Sequence, residues 1–292
     1  MTFVLRWLAR RSLRLLHALG ALLGWLVWAA APGYRRRLAA NAAAAGVSAA
    51  QRRAAVAEAG RMSLEMPRLW LRPPGEPIAD PVRWSGAEHV ERALDAGRGL
   101  VFLTPHMGSF ELCAQAYAER FGARQPVTVL YRPSRNAWLR RLEETARARP
   151  HLFTAPATLA GVRQLLRALR RGQTVGLLPD QVPPEGMGVW APFFGRDAYT
   201  MTLAARLVRQ SGAALYAIWG ERLARGAGYH VHVLPMPVPL VDAAALPADE
   251  AAAQRLDASA INRSMEALIA QCPSQYLWGY HRYKSPRRPE AA

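Results

Sequence analysis

His106 stands in the run Leu100-Val-Phe-Leu-Thr-Pro-His106-Met-Gly-Ser-Phe-Glu111, and a carboxylate follows the imidazole by five residues. A neutral imidazole can take the proton of an attacking hydroxyl, and a carboxylate beside it fixes the tautomer and stabilises the imidazolium that forms. Inside one helix five residues turn through about 500°, so the pair can meet only where the chain changes element between them. The sequence supplies that change. Leu100 to Leu103 reads as a buried strand, a helical pattern follows, Ser109 is a candidate N-cap, and Gly108 lets the chain double back. The end of such a strand is where α/β folds gather their active sites. The same residues also fit a core histidine and a helix-capping glutamate, so the pair alone does not fix a function.

Short apolar runs alternate with amphipathic segments from about Val82 onward, as in an α/β domain. Candidate strands are Gly99 to Thr104, Val127 to Tyr131, Thr174 to Pro179, Ala214 to Trp219 and Tyr229 to Leu234. Candidate helices are Asn136 to Ala148, Thr158 to Arg171, Thr202 to Gln210 and about Asp249 to Gln271. The expected architecture is an α/β fold whose mixed, mostly parallel central sheet is flanked by helices. Residues 38–80 form a helical lead-in that ends at Pro73, Pro74, Gly75 and Pro77.

Ahead of that lead-in, residues 1–37 read as a membrane anchor. From Leu15 to Tyr34 the only titratable side chain short of the terminal tyrosine is His17, and about 20 helical residues span roughly 30 Å, the thickness of a bilayer core. Arginines flank both ends, so flanking charge does not set an orientation. The apolar run is longer than a signal peptide's, and a helix lying in the interface fits the same residues. The 292-residue chain carries a formal net charge of +17, which calls for an anionic partner. Arg135, Arg140, Arg141, Arg147 and Arg149 crowd one predicted helix and Arg163, Arg167, Arg170 and Arg171 the next. No helix-turn-helix, zinc-finger or RNP-like pattern accompanies the charge, which argues against nucleic acid. Cys113 and Cys272 are too few for a disulfide framework, no Cys/His pairing has zinc-site spacing, and both thiols read as structural.

The run Gly97 to Glu111, GRGLVFLTPHMGSFE, resembles the lysophospholipid acyltransferase superfamily, in particular the late acyltransferases of bacterial lipid A biosynthesis. YRPSRN at Tyr131 to Asn136, LLPDQVPPEGMGVWAPFFGRDAYT at Leu177 to Thr200 and QYLWGYHRYKSPR at Gln275 to Arg287 look like further blocks of that family, in order. Glycerolipid acyltransferases of the superfamily usually have Asp in place of Glu111 and a Phe-Pro-Glu-Gly block in place of Pro179-Asp180-Gln181; both departures favour the lipid A branch.

The resemblance implies an acyl carrier protein thioester as donor and a hydroxyl of an acylated, Kdo-bearing lipid A precursor as acceptor. It gives His106 and Glu111 the catalytic roles and matches Arg132 to a basic residue that serves the donor phosphate linkage or the developing oxyanion. Asp180 and Gln181 should lie at the same sheet edge as substrate-binding residues, with Arg135, Gly195 and Arg196 shaping the rest. Neither metal nor cofactor is expected. A cytosolic donor implies the inner membrane, with the catalytic domain on its cytoplasmic side. A coenzyme A donor, another lipid acceptor (a lysophospholipid, an ornithine lipid or a mannosylated lipid) and a non-catalytic basic membrane-binding protein are the alternatives.

Overall fold

A computed structural model describes residues 2–132, 134, 136, 138, 140, 142–143 and 148–287. The anchor and lead-in segments form four helices, α1 (Thr2–Ala9), α2 (Leu13–Ala30), α3 (Pro32–Ala44) and α4 (Ala49–Trp70), and the lead-in expected over 38–80 loses its helix after Trp70, ahead of Pro73. Ser12 caps α2 through its side chain, and Ser48 with Gln51 forms a capping box on α4. The helix α2 is long and apolar enough to cross a membrane. One of its faces lies on α4, where Gly20 and Gly24 oppose Gly60 so closely that a methyl group on any of the three would strike the other helix's backbone. Its other face leaves Leu15, Leu22, Trp25, Leu26 and Val27 exposed.

The polar content of the α2–α4 contact is buried and paired. His17 Nε2 lies 3.2 Å from Glu65 Oε2, and Arg222 donates to Glu65 Oε1 and to Glu58 Oε2, each at 3.0 Å. Burial would lower the arginine's pKa, but the two glutamates raise it.

The remainder of the chain alternates as the sequence does. Its elements are β1 (Val82–Ser85), α5 (Ala87–Asp95), β2 (Leu100–Leu103), α6 (Phe110–Phe121), β3 (Val127–Tyr131), β4 (Leu152–Pro156), α7 (Leu159–Arg170), β5 (Thr174–Leu177), β6 (Gly188–Phe193), β7 (Arg196–Met201), α8 (Leu203–Ser211), β8 (Ala214–Arg222), β9 (Tyr229–Pro235) and α9 (Glu250–Gln271). Seven strands form one sheet in the order β1-β9-β8-β2-β5-β3-β4, parallel throughout except for the antiparallel β8–β9 pair. Strand β2 is apolar on both sides because both sides are covered. Leu100 and Phe102 pack with Leu112, Tyr117 and Val231, whereas Val101 and Leu103 pack with Leu165, Leu207 and Leu268.

Five strands were legible as apolar runs. The short outer strands β1 and β4 were not, nor was the antiparallel hairpin β6–β7, which lies outside the main sheet. The predicted helix at 136–148 falls partly outside the described residues. Arg149, grouped in sequence with the arginines that crowd that helix, is buried. It donates to the carbonyls of Leu69, Trp70 and Pro73 at 2.9, 3.2 and 2.8 Å, closing the C-terminal turn of α4.

Candidate active site

Strands β2 and β5 are parallel neighbours in register, with Leu103 opposite Leu177. Each is followed by the same spacing, Leu103-Thr-Pro-His106 and Leu177-Leu-Pro-Asp180. Equal offsets from paired positions bring residues 106 and 180 side by side at the C-terminal edge of the sheet. His106 Nδ1 lies 2.7 Å from Asp180 Oδ1, and the His106 backbone N–H donates to Asp180 Oδ2 at 2.9 Å. The other ring nitrogen, Nε2, is 3.0 Å from the side-chain amide nitrogen of exposed Gln181. This network assigns the proton to Nδ1 and leaves the Nε2 lone pair accepting from Gln181.

The sequence reading paired the imidazole with Glu111. In the structure the carboxylate on the ring is Asp180, and Glu111, in the first turn of α6, accepts from Trp70 Nε1 at 3.4 Å. The difference is one of reach: the in-register strand ends deliver Asp180 to the ring directly, whereas Glu111 belongs to the next element. Ser109 occupies the N-cap position of α6 but makes no capping bond through its side chain. Its buried Oγ has no hydrogen-bond partner among the described residues, while its backbone N–H donates to Gly220 O at 2.7 Å. Gly108 adopts φ +57°, and a Cβ there would strike Gly220 O. Glycine is therefore required where the chain doubles back.

Asp180 is 2 % exposed. Burial alone would raise its pKa, but the charge and hydrogen bonds of His106, with Arg282 adding its own positive charge, hold the carboxyl below its ordinary range. The C-terminal segment supplies the floor. Leu277 N–H donates to His106 O at 3.1 Å, Gly108 N–H to Gln275 O at 2.9 Å, and Val182 N–H to the Tyr280 hydroxyl at 3.1 Å. Tyr276 is buried against Asp180; burial first, then the neighbouring carboxylate, pushes its phenol well above the usual tyrosine range. Arg282, also buried, donates to Tyr199 O and Thr200 Oγ1, each at 2.6 Å.

Tyr276, Trp278, Tyr280, His281, Arg282, Tyr283 and Lys284 mix aromatics with cations in sequence, which suits either an interfacial belt or ordinary packing against the sheet. Tyr276, Trp278 and Arg282 are buried, so packing is what the structure shows. The mixture of aromatics and cations was a visible signal, but not of a polar floor beneath a histidine.

Arg132 is exposed immediately after β3, the strand on the far side of β5, at the same sheet edge as His106. Arg135 lies outside the described residues. Gly195, with φ +72°, and Phe194, with φ +47°, form the tight turn of the β6–β7 hairpin. The Arg196 guanidinium lies 3.9 Å from the centre of the Tyr283 ring. These residues connect to the sheet edge of His106 through the C-terminal segment: Phe194 packs on Trp278, and the Tyr283 hydroxyl donates to Phe193 O at 3.0 Å. Cys113 is buried, which pushes its thiol up to about 12 and fits a structural residue.

A family profile described as "Bacterial lipid A biosynthesis acyltransferase" matches residues 1–285. The chain belongs to that family. Among curated members of this acyltransferase family, the Escherichia coli K12 lipid A biosynthesis lauroyltransferase is 29 % identical over 235 residues, covering 79 % of this chain and 69 % of the relative. The lipid A biosynthesis palmitoleoyltransferase of the same organism is 28 % identical over 201 residues, covering 68 % and 60 %. A Shigella flexneri lipid A biosynthesis acyltransferase aligns to the same extent. The family sequence spans both the helical lead-in and the sheet, so the contact between them lies within the matched region.

Proposed function

We propose that this acyltransferase moves a fatty acyl chain from an acyl carrier protein thioester to a hydroxyl of an acylated, Kdo-bearing lipid A precursor, with His106 as general base. Family membership supports acyl transfer and a lipid A-type acceptor. The observation that carries the base assignment is the split environment of the ring, with Nδ1 on a buried carboxylate and Nε2 turned toward an exposed amide.

An acceptor hydroxyl that displaces the Gln181 amide meets the Nε2 lone pair. As its oxygen attacks the thioester carbonyl, the proton passes to Nε2 and the imidazolium forms against the Asp180 carboxylate. Collapse of the tetrahedral oxyanion breaks the carbon–sulfur bond, and the imidazolium returns its proton to the departing thiolate. Arg132, exposed at the same edge, is assigned to the oxyanion or the donor's phosphate linkage. Asp180 takes the ring-orienting role, and Glu111, which the family resemblance pairs with His106, is the second acid of the site. Gly195 and Arg196 shape the acyl-binding side through the hairpin and tail.

The bare apolar face of α2 is proposed to lie in the inner membrane. A cytosolic donor puts the catalytic edge on the cytoplasmic side, a placement that protease accessibility in spheroplasts tests. The deciding assay is transfer of a labelled acyl chain from acyl carrier protein to a tetraacylated Kdo-bearing precursor by detergent-solubilised protein, with coenzyme A thioester and other lipid acceptors in parallel. Product with wild type and none with His106→Ala is expected. Equal product from both would remove His106 as base, and no product with any acceptor would remove the reaction.

A further inference from the structure

On the opposite face of β8 from α6, three side chains bring metal-ligating atoms together. Glu221 on β8 and His230 on β9 are direct cross-strand partners, and His232 is two residues along β9 on the same face, opposite Trp219. Their candidate donor atoms all lie within 4.8 Å of one another. Zinc-finger spacing is absent from the sequence, but a His-x-His on a strand with a glutamate opposite needs no such spacing, because the pleat aligns alternate side chains.

The arrangement is supported as well as close. His232 is stacked on Trp219, with ring centres 4.6 Å apart and planes 14° apart, and lies 3.0 Å from Glu221 Oε2. His230 Nε2 is 2.7 Å from Ser85 Oγ on β1, the outer-shell kind of contact that fixes the tautomer of a liganding imidazole. The two imidazole rings are only 4.0 Å apart. Arg83 also faces the cluster and opposes a cation there, and Glu221 offsets it.

We propose that Glu221, His230 and His232 form a binding site for one divalent transition-metal ion of the zinc class. Two imidazoles and one carboxylate suit zinc, cobalt or nickel rather than calcium or magnesium. Tetrahedral coordination at about 2.0–2.2 Å needs donors roughly 3.3 Å apart, which small rotations of these half-buried side chains supply. The ion would clip the β8–β9 hairpin beside its connecting loop. Gly220, beside Glu221, holds the His106 loop through its bond to the Ser109 N–H, so the clip would brace the catalytic edge without touching substrate.

The test is equilibrium dialysis of tag-free, chelator-stripped, full-length protein against Zn²⁺, with thermal unfolding measured on the same samples. Wild type should bind one equivalent and unfold at a higher temperature when loaded. His230→Gln and His232→Gln should each weaken binding by more than the roughly 10- to 100-fold typical of a lost outer-shell partner, and Ser85→Ala by about that amount. Cys272→Ser should bind as wild type does. If a histidine variant does not fold, Glu221→Gln is read in its place and should weaken binding to the same degree. Failure of wild type to take up one equivalent, or undiminished binding in the ligand variants that fold, would overturn the proposal.

Discussion

Two histidines in this protein sit against buried carboxylates, His106 on Asp180 at 2.7 Å and His17 on Glu65 at 3.2 Å, and each pair has an arginine close by, Arg282 or Arg222. They nevertheless do different work. Glu65 shares its charge among His17, Arg222 and Tyr229, and the whole group is sealed between α2, α4 and β8. Asp180 gives both oxygens to His106, and the far nitrogen of that ring meets an exposed side chain at the sheet edge. A histidine–carboxylate pair therefore becomes a candidate base only where its second nitrogen faces a place that a substrate can enter. Without that opening it is a polar fastening between helices.

The comparison breaks if exchanging the roles has no effect. His106→Ala should lower acyl transfer by about 10²- to 10⁴-fold while leaving the urea midpoint close to wild type. Arg222→Met should do the reverse, costing about 3–5 kcal/mol of stability in urea titrations by leaving Glu65 buried without its arginine. Transfer per folded molecule should then be near wild type. If Arg222→Met abolished transfer in folded protein, the sealed network would have a part in the chemistry.

Asp180→Asn and Glu111→Gln sharpen the assignment of the orienting acid. Asp180→Asn should reduce kcat by about 10²-fold or more through loss of the ring's tautomer. A larger loss in Glu111→Gln would return that role to Glu111. The same carboxyl sets a pH dependence. Its folded-state pKa is depressed, so its stabilising contribution is present above the unfolded value and lost as pH falls through the folded one. Between about pH 5 and pH 3, wild type should therefore lose more stability than Asp180→Asn. The smallest effect is expected from Gln181→Ala, which removes one neutral hydrogen bond to Nε2, worth about 0.5–1.5 kcal/mol, and should change transfer by less than about tenfold.

Much of the edge that carries these residues was legible from the chain. Leu100 to Leu103 had to be a buried strand, and a histidine just beyond it had to stand at a strand end. The partner was not legible by the same logic, because local periodicity sees five residues ahead to Glu111, whereas sheet register spans the 74 residues to Asp180. The clue was nonetheless present in the matching Leu-x-Pro-His and Leu-x-Pro-Asp endings. Two parallel strands that end alike place their following residues together once they are neighbours, and neighbourhood is what a single sequence withholds. Arg149 escapes local periodicity for a related reason: its partners are carbonyls on α4, more than 70 residues earlier in the chain.

The three glycines between α2 and α4 have one more consequence. Because Gly20, Gly24 and Gly60 bring two backbones into direct contact, the apolar helix has no swivel relative to the sheet. Its bare row of leucine, tryptophan and valine keeps a fixed bearing to the edge where His106 stands. Any surface that accepts that row would thereby set the heading and height of the His106 edge above it, so on the proposed function the fold would work as a gauge for which acceptor hydroxyls come within range.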